Sequence, residues 1–213
     1  LDFGFILLFF LKYSHITSKY NTMLQELFRQ LLDLYKGIDK EKLQANMQYW
    51  LRAIMPICDE YDINMCVHPD DPPYPVFGLP RIGRNEAEID AFLQAVPNPL
   101  TFCAGSLSAG EENDVVALAR KYAERTHFVH LRSCHIFPNG DFTEASHLGG
   151  RANIVELCRI FEKAEQTGKP NSGHRLPMRV DHGMTFTDQP GGIMDESSHG
   201  HNAGYTLLGR MFA

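Results

Sequence analysis

Residues 126–133 read THFVHLRS. In an extended strand, His127, Val129 and Leu131 face one way and Phe128, His130 and Arg132 the other. A short apolar run that ends in polar residues suits a buried parallel strand reaching the edge of its sheet. Three other stretches follow the same plan: INMCVHPDD at 63–71, LTFCAGS at 100–106 and HRLPMRVDHG at 174–183. Each delivers one good metal ligand where the strand should end, namely His68, Cys103, His130 and Asp181. The intervals between them leave room for a helical crossover. The spacing therefore predicts consecutive parallel strands presenting side chains at a common carboxyl edge, the usual address of an α/β active site. Local zinc-finger or redox spacing, with ligands two to four residues apart, is absent.

The segments between these strands carry helical periodicity. Met23–Tyr35 places Leu24, Leu27, Phe28 and Leu31 on one face. Asp39 is a candidate N-cap for a helix to about Glu60, with an expected stripe of Leu43, Met47, Trp50, Ala53, Ile54 and Ile57 and a kink or early end at Pro56. Ile63–Val67 is expected as a strand. A stiff, proline-rich loop follows and suits a lid. Further helices are expected over Glu86–Ala95, around Val115, Leu118, Ala119 and Tyr122, and over Asn153–Gln166. Strands are expected at Leu100–Ala104 and Arg175–Val180. About five βα units result, enough for an open sheet or for most of a barrel. No G-x-G-x-x-G or G-x-x-x-x-G-K motif occurs, which disfavours a nucleotide fold.

Bulk properties narrow the classes. The chain has 213 residues, a formal charge of −6 and 44% hydrophobic content, as a soluble globular domain would. No Lys/Arg run marks a nucleic-acid partner. The amino-terminal LDFGFILLFFLKY is too short for a spanning helix and lacks signal-peptide flanks, so it reads as a buried strand. Five dispersed cysteines indicate a reducing, cytoplasmic setting. The expected domain is a single one spanning residues 1–213.

Two imidazoles, a thiolate and a carboxylate can hold a divalent ion and leave positions for water or substrate; the sulfur by itself favours zinc. Asp70 and Asp71 could orient His68 or bind sugar hydroxyls, or simply serve the turn. Arg132 could fork onto a substrate carboxylate or make a structural ion pair. His182 would set a proton-transfer group beside the ion. Tyr205 is either a second acid or a pocket wall. His135, His147, His199 and His201 lie in loops, with the surface as the default for the last two.

HPDDPP with GLPRI, FCAGSL, HFVHLRS, FTEASHL, MRVDHG and GYTLLGR together closely resemble the mannonate dehydratase family, from about Gly37 to Arg210. The resemblance implies a (β/α)8 TIM barrel of the xylose-isomerase-like type, incomplete in this chain, which looks like the carboxyl-terminal portion with a short tail missing. It implies a homo-oligomeric lyase of glucuronate catabolism that removes water from a sugar acid, D-mannonate, to give 2-dehydro-3-deoxy-D-gluconate. Mn2+ would be the ion, with Mg2+, Fe2+ or Zn2+ as substitutes. By resemblance the ligands map to His68, Cys103, His130 and Asp181, and the acid–base pair to His182 and Tyr205. Asp70, Asp71, Arg81 and Arg132 are candidates for gripping substrate. Val180 and Ala203 stand where the family usually has proline, which touches loop rigidity more than chemistry. A xylose-isomerase-like isomerase or epimerase, and a metal-binding barrel fragment without turnover, are the competing expectations.

Overall fold

The structure, a computed structural model, describes residues 18–95, 99–167 and 175–182. The amino-terminal strand, Tyr205, His199, His201 and Ala203 lie outside the described residues. The chain divides at Asp39 and Lys40 into two compact units. The first contributes helix α1 (Ser18–Leu34), which begins earlier than its apolar periodicity. On it Leu24, Phe28 and Leu31 are half-buried, whereas Leu27 is exposed.

The second unit holds the site. Helix α2 (Lys40–Glu60) continues past Pro56, so the expected early end is corrected: a proline removes one ladder hydrogen bond, and the remaining turns persist here. Its buried line also differs from expectation. Leu51 and Cys58 are buried, while Trp50 and Ile57 are more than half exposed. Apolar residues at 50, 51, 53–55, 57 and 58 form two overlapping stripes, and periodicity alone cannot choose between them. After α2 the expected strand Ile63–Val67 shrinks to one parallel bridge, Val67 to Leu100. Its hydrogen bonds join Val67 N–H to Pro99 O and Thr101 N–H to Val67 O. Ile63 is exposed, so apolar character there reflects no buried sheet face.

Helix α3 (Glu86–Ala95) leads to strand β1 (Leu100–Cys103). Ala104, expected in the strand, instead begins a short helix α4 (Ala104–Ser108). Helix α5 (Val115–Tyr122) starts at Asp114, whose carboxylate accepts the Ala117 N–H. Its buried residues are Val115, Leu118, Ala119 and Tyr122, the face that periodicity selects. A 3-10 turn, Ala123–Arg125, feeds strand β2 (Thr126–Leu131). The loop after β2 contains a hairpin, β3 (Cys134–Ile136) with β4 (Phe142–Glu144), turned through Gly140 at a φ of 87°. Helix α6 (Ile154–Gln166) is capped by Asn153, and strand β5 (Met178–Val180) closes the set.

The parallel sheet runs β1–β2–β5. Its strands lie side by side in chain order, each reached through a helical crossover, as in a sector of a TIM barrel. The chain is thus an α/β protein of incomplete TIM-barrel-like architecture. Leu100, Phe102, Val129 and Leu131 are almost wholly buried and join Phe161 of α6 in one core. The rings of Phe102 and Phe161 lie 5.1 Å apart. Each such side chain contributes roughly 1.5–3 kcal/mol by burial, which fixes the sheet against its helices. Register then sets the site, because Cys103 is paired with His130, and His130 with Arg179.

Candidate metal centre

Strand parity sends Val129 and Leu131 into the core, leaving His130 half-buried on the opposite face. Phe128 meets its ring edge-on at 5.2 Å. Since Cys103 sits beside His130 in the ladder, the thiol and the imidazole meet across neighbouring strands. His68 follows the Val67 bridge and comes in from the other side of β1. Its Nδ1 is 2.6 Å from the Pro69 carbonyl oxygen. That oxygen can only accept, so Nδ1 carries the proton and Nε2 is left to bind. His68 Nε2 lies 3.3 Å from His130 Nδ1, and the ligand atoms of His68, Cys103 and His130 all fall within 4.8 Å of one another.

This donor set fits a divalent cation. With metal–nitrogen distances of about 2.0–2.1 Å, two nitrogens on a tetrahedral ion stand about 3.3–3.4 Å apart. Asp181, just past β5, is 94% buried, and its Oδ2 is 3.6 Å from His130 Nδ1. Arg179 pairs with the other carboxylate oxygen at 3.4 Å. His147 Nε2 is 3.2 Å from the Asp181 carbonyl oxygen, which anchors that strand end. His182 is exposed, with Nε2 3.9 Å from Asp181 Oδ2.

Cys103 also caps helix α4. Its Sγ accepts the Ser106 N–H at 3.5 Å, and the Ser106 hydroxyl lies 3.2 Å away. Burial opposes a charged sulfur, but hydrogen bonds from His130 and His68, with the charge on His68, outweigh it and bring the thiol down to about 6. For His68, burial works against the imidazolium; the hydrogen bond and charge of Cys103 outweigh it and raise its pKa. In the metal-free protein His68 thus favours a proton beside the Cys103 sulfur, and an ion would displace it. The sign follows from the depressed thiol pKa: thiolate is present above about 6 and lost below it. Metal retention is expected to hold near neutrality and fall as pH drops through that value, checked by metal titrations across the range. Retention that stays flat under acid would contradict a thiolate ligand.

The proline-rich loop is braced internally. Asp70 Oδ2 accepts the N–H groups of Ile82 and Gly83 at 2.6 and 2.7 Å. Arg81 approaches Asp70 at 3.8 Å and donates to Tyr74 O. Arg132 is buried, and its guanidinium takes Glu144 through Nε at 3.0 Å and Nη2 at 2.5 Å, with Nη1 on Asp71. Of the sequence-level candidates, His68, Cys103 and His130 converge, Asp181 and His182 flank them, and Asp70, Asp71, Arg81 and Arg132 make contacts within the protein. Ser106, Glu144 and His147 escaped assignment by sequence. Ser106 had a readable cue in its place three residues after Cys103, one helical turn on.

Parallel strands whose carboxyl ends gather two imidazoles and a thiol define a metal-binding barrel-type protein. More narrowly, the chain belongs to the D-mannonate dehydratase (UxuA) family, which matches residues 17–213. Mannonate dehydratase 2 of Agrobacterium fabrum is 36% identical over 85% of this chain and 45% of its own length. The mannonate dehydratase of Brucella canis is 38% identical over 86% of this chain and 45% of its own. The crystal structure of mannonate dehydratase from Streptococcus suis serotype 2 superposes with a TM-score of 0.67 at 28% identity, over 82% of this chain and 49% of that one. The chain thus spans about half the length of the relatives it matches.

Proposed function

We propose that the chain serves the metal-dependent dehydration of D-mannonate to 2-dehydro-3-deoxy-D-gluconate, as a carbon–oxygen lyase in hexuronate breakdown. The observation that carries this reading is the convergence of His68, Cys103 and His130 in a member of the UxuA family. Asp181 is the fourth ligand in this proposal, and Mn2+ the ion. A bound divalent ion would supply positive charge to stabilise the electron density that develops beside the substrate carboxylate.

The protein's own groups must move two protons. One takes the proton from C2, and the other protonates the C3 hydroxyl, which departs as water; the resulting enol then becomes the ketone. His182 and Tyr205 are assigned to these tasks. His182 is supported by its exposed position next to Asp181. Of the two arginines considered for gripping substrate, Arg81 has the longer ion pair, to Asp70 at 3.8 Å, and is our choice for the substrate carboxylate. Asp70, Asp71 and Arg132 are proposed to grip the substrate with Arg81, alongside their contacts within the protein.

We further place residues 1–213 in one barrel domain, incomplete relative to its family and assembled as a homo-oligomer. Exposed Trp50, Ile57 and Tyr61 on and just after α2 are consistent with assembly. A cytoplasmic setting is supported by five unpaired cysteines. Among the described residues, no helix is long and apolar enough to cross a membrane.

The test is turnover of D-mannonate by the purified chain after chelation and manganese addition, following the keto-deoxy acid. Manganese-dependent product is expected, and His182→Ala should keep the metal and lose turnover by on the order of 10²–10⁴-fold. Parent-like rates in that variant would remove His182 from the mechanism. Soluble, metal-loaded protein that forms no product would favour a barrel fragment that needs further chain to act.

A further inference from the structure

The hydroxyl of Ser106 stands between two acceptors. Its Oγ is 3.0 Å from Asp71 Oδ2 and 3.2 Å from Cys103 Sγ. A serine hydroxyl has one proton, so it can serve only one of them at a time. Ser106 is 1% exposed and Cys103 wholly buried, so water cannot readily replace the hydroxyl at the sulfur. Asp71 is not an isolated carboxylate, because Arg132 binds the same Oδ2 and also grips Glu144. The cation weakens the hold of Asp71 on the serine proton, leaving the hydroxyl able to turn toward sulfur. Gly105 admits the Arg132 stem: a Cβ there would lie 2.2 Å from Arg132 Cδ. The path from Glu144 through Arg132, Asp71 and Ser106 to Cys103 is therefore continuous, and Arg132, Ser106 and Cys103 along it are buried.

We propose that Ser106 is the positioning residue of the thiolate ligand, with Arg132 and Asp71 setting whether its proton points to sulfur. With an ion on Cys103, the hydroxyl joins the Ser106 N–H in donating to Sγ. Two donors draw electron density from the sulfur and soften its bond to the ion. A sulfur tempered in this way binds zinc less preferentially, because zinc gains more than manganese from a strongly donating thiolate. The pair of donors thus biases a sulfur-containing site toward the harder ion. This inference rests on the metal-centre reading and adds a determinant of which ion the centre keeps.

The experiment uses cobalt(II) as a spectroscopic probe in the full chain, with Ser106→Ala and Ser106→Thr compared with the parent. A thiolate on cobalt gives a sulfur-to-metal charge-transfer band, whose energy rises when hydrogen bonds stabilise the sulfur lone pairs. Ser106→Ala should move that band to longer wavelength and raise zinc affinity relative to manganese by about tenfold. Ser106→Thr, which keeps the hydroxyl, should restore both the band and the parental balance between manganese and zinc. A merely structural serine would alter stability and leave the band in place. Circular dichroism confirms folding, and alanine is smaller than serine, so the buried site accepts it without a clash. An unmoved band in folded, cobalt-loaded Ser106→Ala would overturn the proposal. Absence of any charge-transfer band in the parent would overturn the thiolate-ligand reading and this inference with it, so the two failures are told apart by which protein lacks the signal.

Discussion

Cys103→Ser is expected to strip the centre of its ion, with a loss exceeding the roughly hundredfold that removal of a hydrogen-bond partner behind a ligand causes. The substitution is small, and its oxygen can still accept the Ser106 N–H that now caps α4. Helix and sheet should therefore survive. The donor changes from a thiol drawn down to about 6 to a hydroxyl that does not ionise near neutrality. A neutral oxygen leaves His68 and His130 without the anionic donor that the sulfur provides beside them. Equilibrium dialysis followed by metal analysis, with parent and variant at neutral pH, gives the measurement. A variant that retains parental metal content against a competing chelator would show that the sulfur is not a ligand.

Gly105→Ala should damage the fold and the centre together. A Cβ at this position would meet Arg132 Cδ at 2.2 Å, Cγ at 2.3 Å and Cβ at 2.7 Å. The first two atoms belong to a side chain that could swing away, but the third is fixed to the backbone immediately after strand β2. Swinging away would break the pairs with Glu144 and Asp71 around a guanidinium whose side chain is only 7% exposed. Loss of a buried pair costs about 3–5 kcal/mol. The alternative is a shift of α4, which begins at the residue after Cys103 and would carry the ligand with it. Chemical denaturation of the metal-free variant should show the lower midpoint, and metal titration the weaker affinity. Parental values in both would mean that the strand and helix have more slack than these distances allow.

Sequence was most informative where a single physical demand ruled. Strand Thr126–Leu131 and helix Glu86–Ala95 run between the residues expected of them. Helix α5 buries the face that its periodicity selects. The three converging ligands were legible because parallel βα units bring strand ends to one edge, whatever the local motif. Helix α4 was missed because five residues are too few to show a period. The β3–β4 hairpin lies in a segment for which no strand was expected, although Asn139–Gly140 is a recognised turn signal. For α2 the apolar content was too broad to specify which stripe would face inward. The engagement of Arg132 by Asp71 and Glu144 needed three dimensions, since one partner lies in the proline-rich loop and the other on β4.

The sulfur of Cys103 holds two offices, capping the start of a helix and facing the candidate metal centre. Substitution at that position is therefore judged twice. Serine, threonine or asparagine can close a helix but offer a poor anionic donor; histidine or glutamate can bind an ion but close a helix badly. Aspartate alone among common ligand residues answers both demands, and it would exchange soft sulfur for hard oxygen. Within this architecture, drift away from cysteine has one open road, and that road changes the ion as well as the residue.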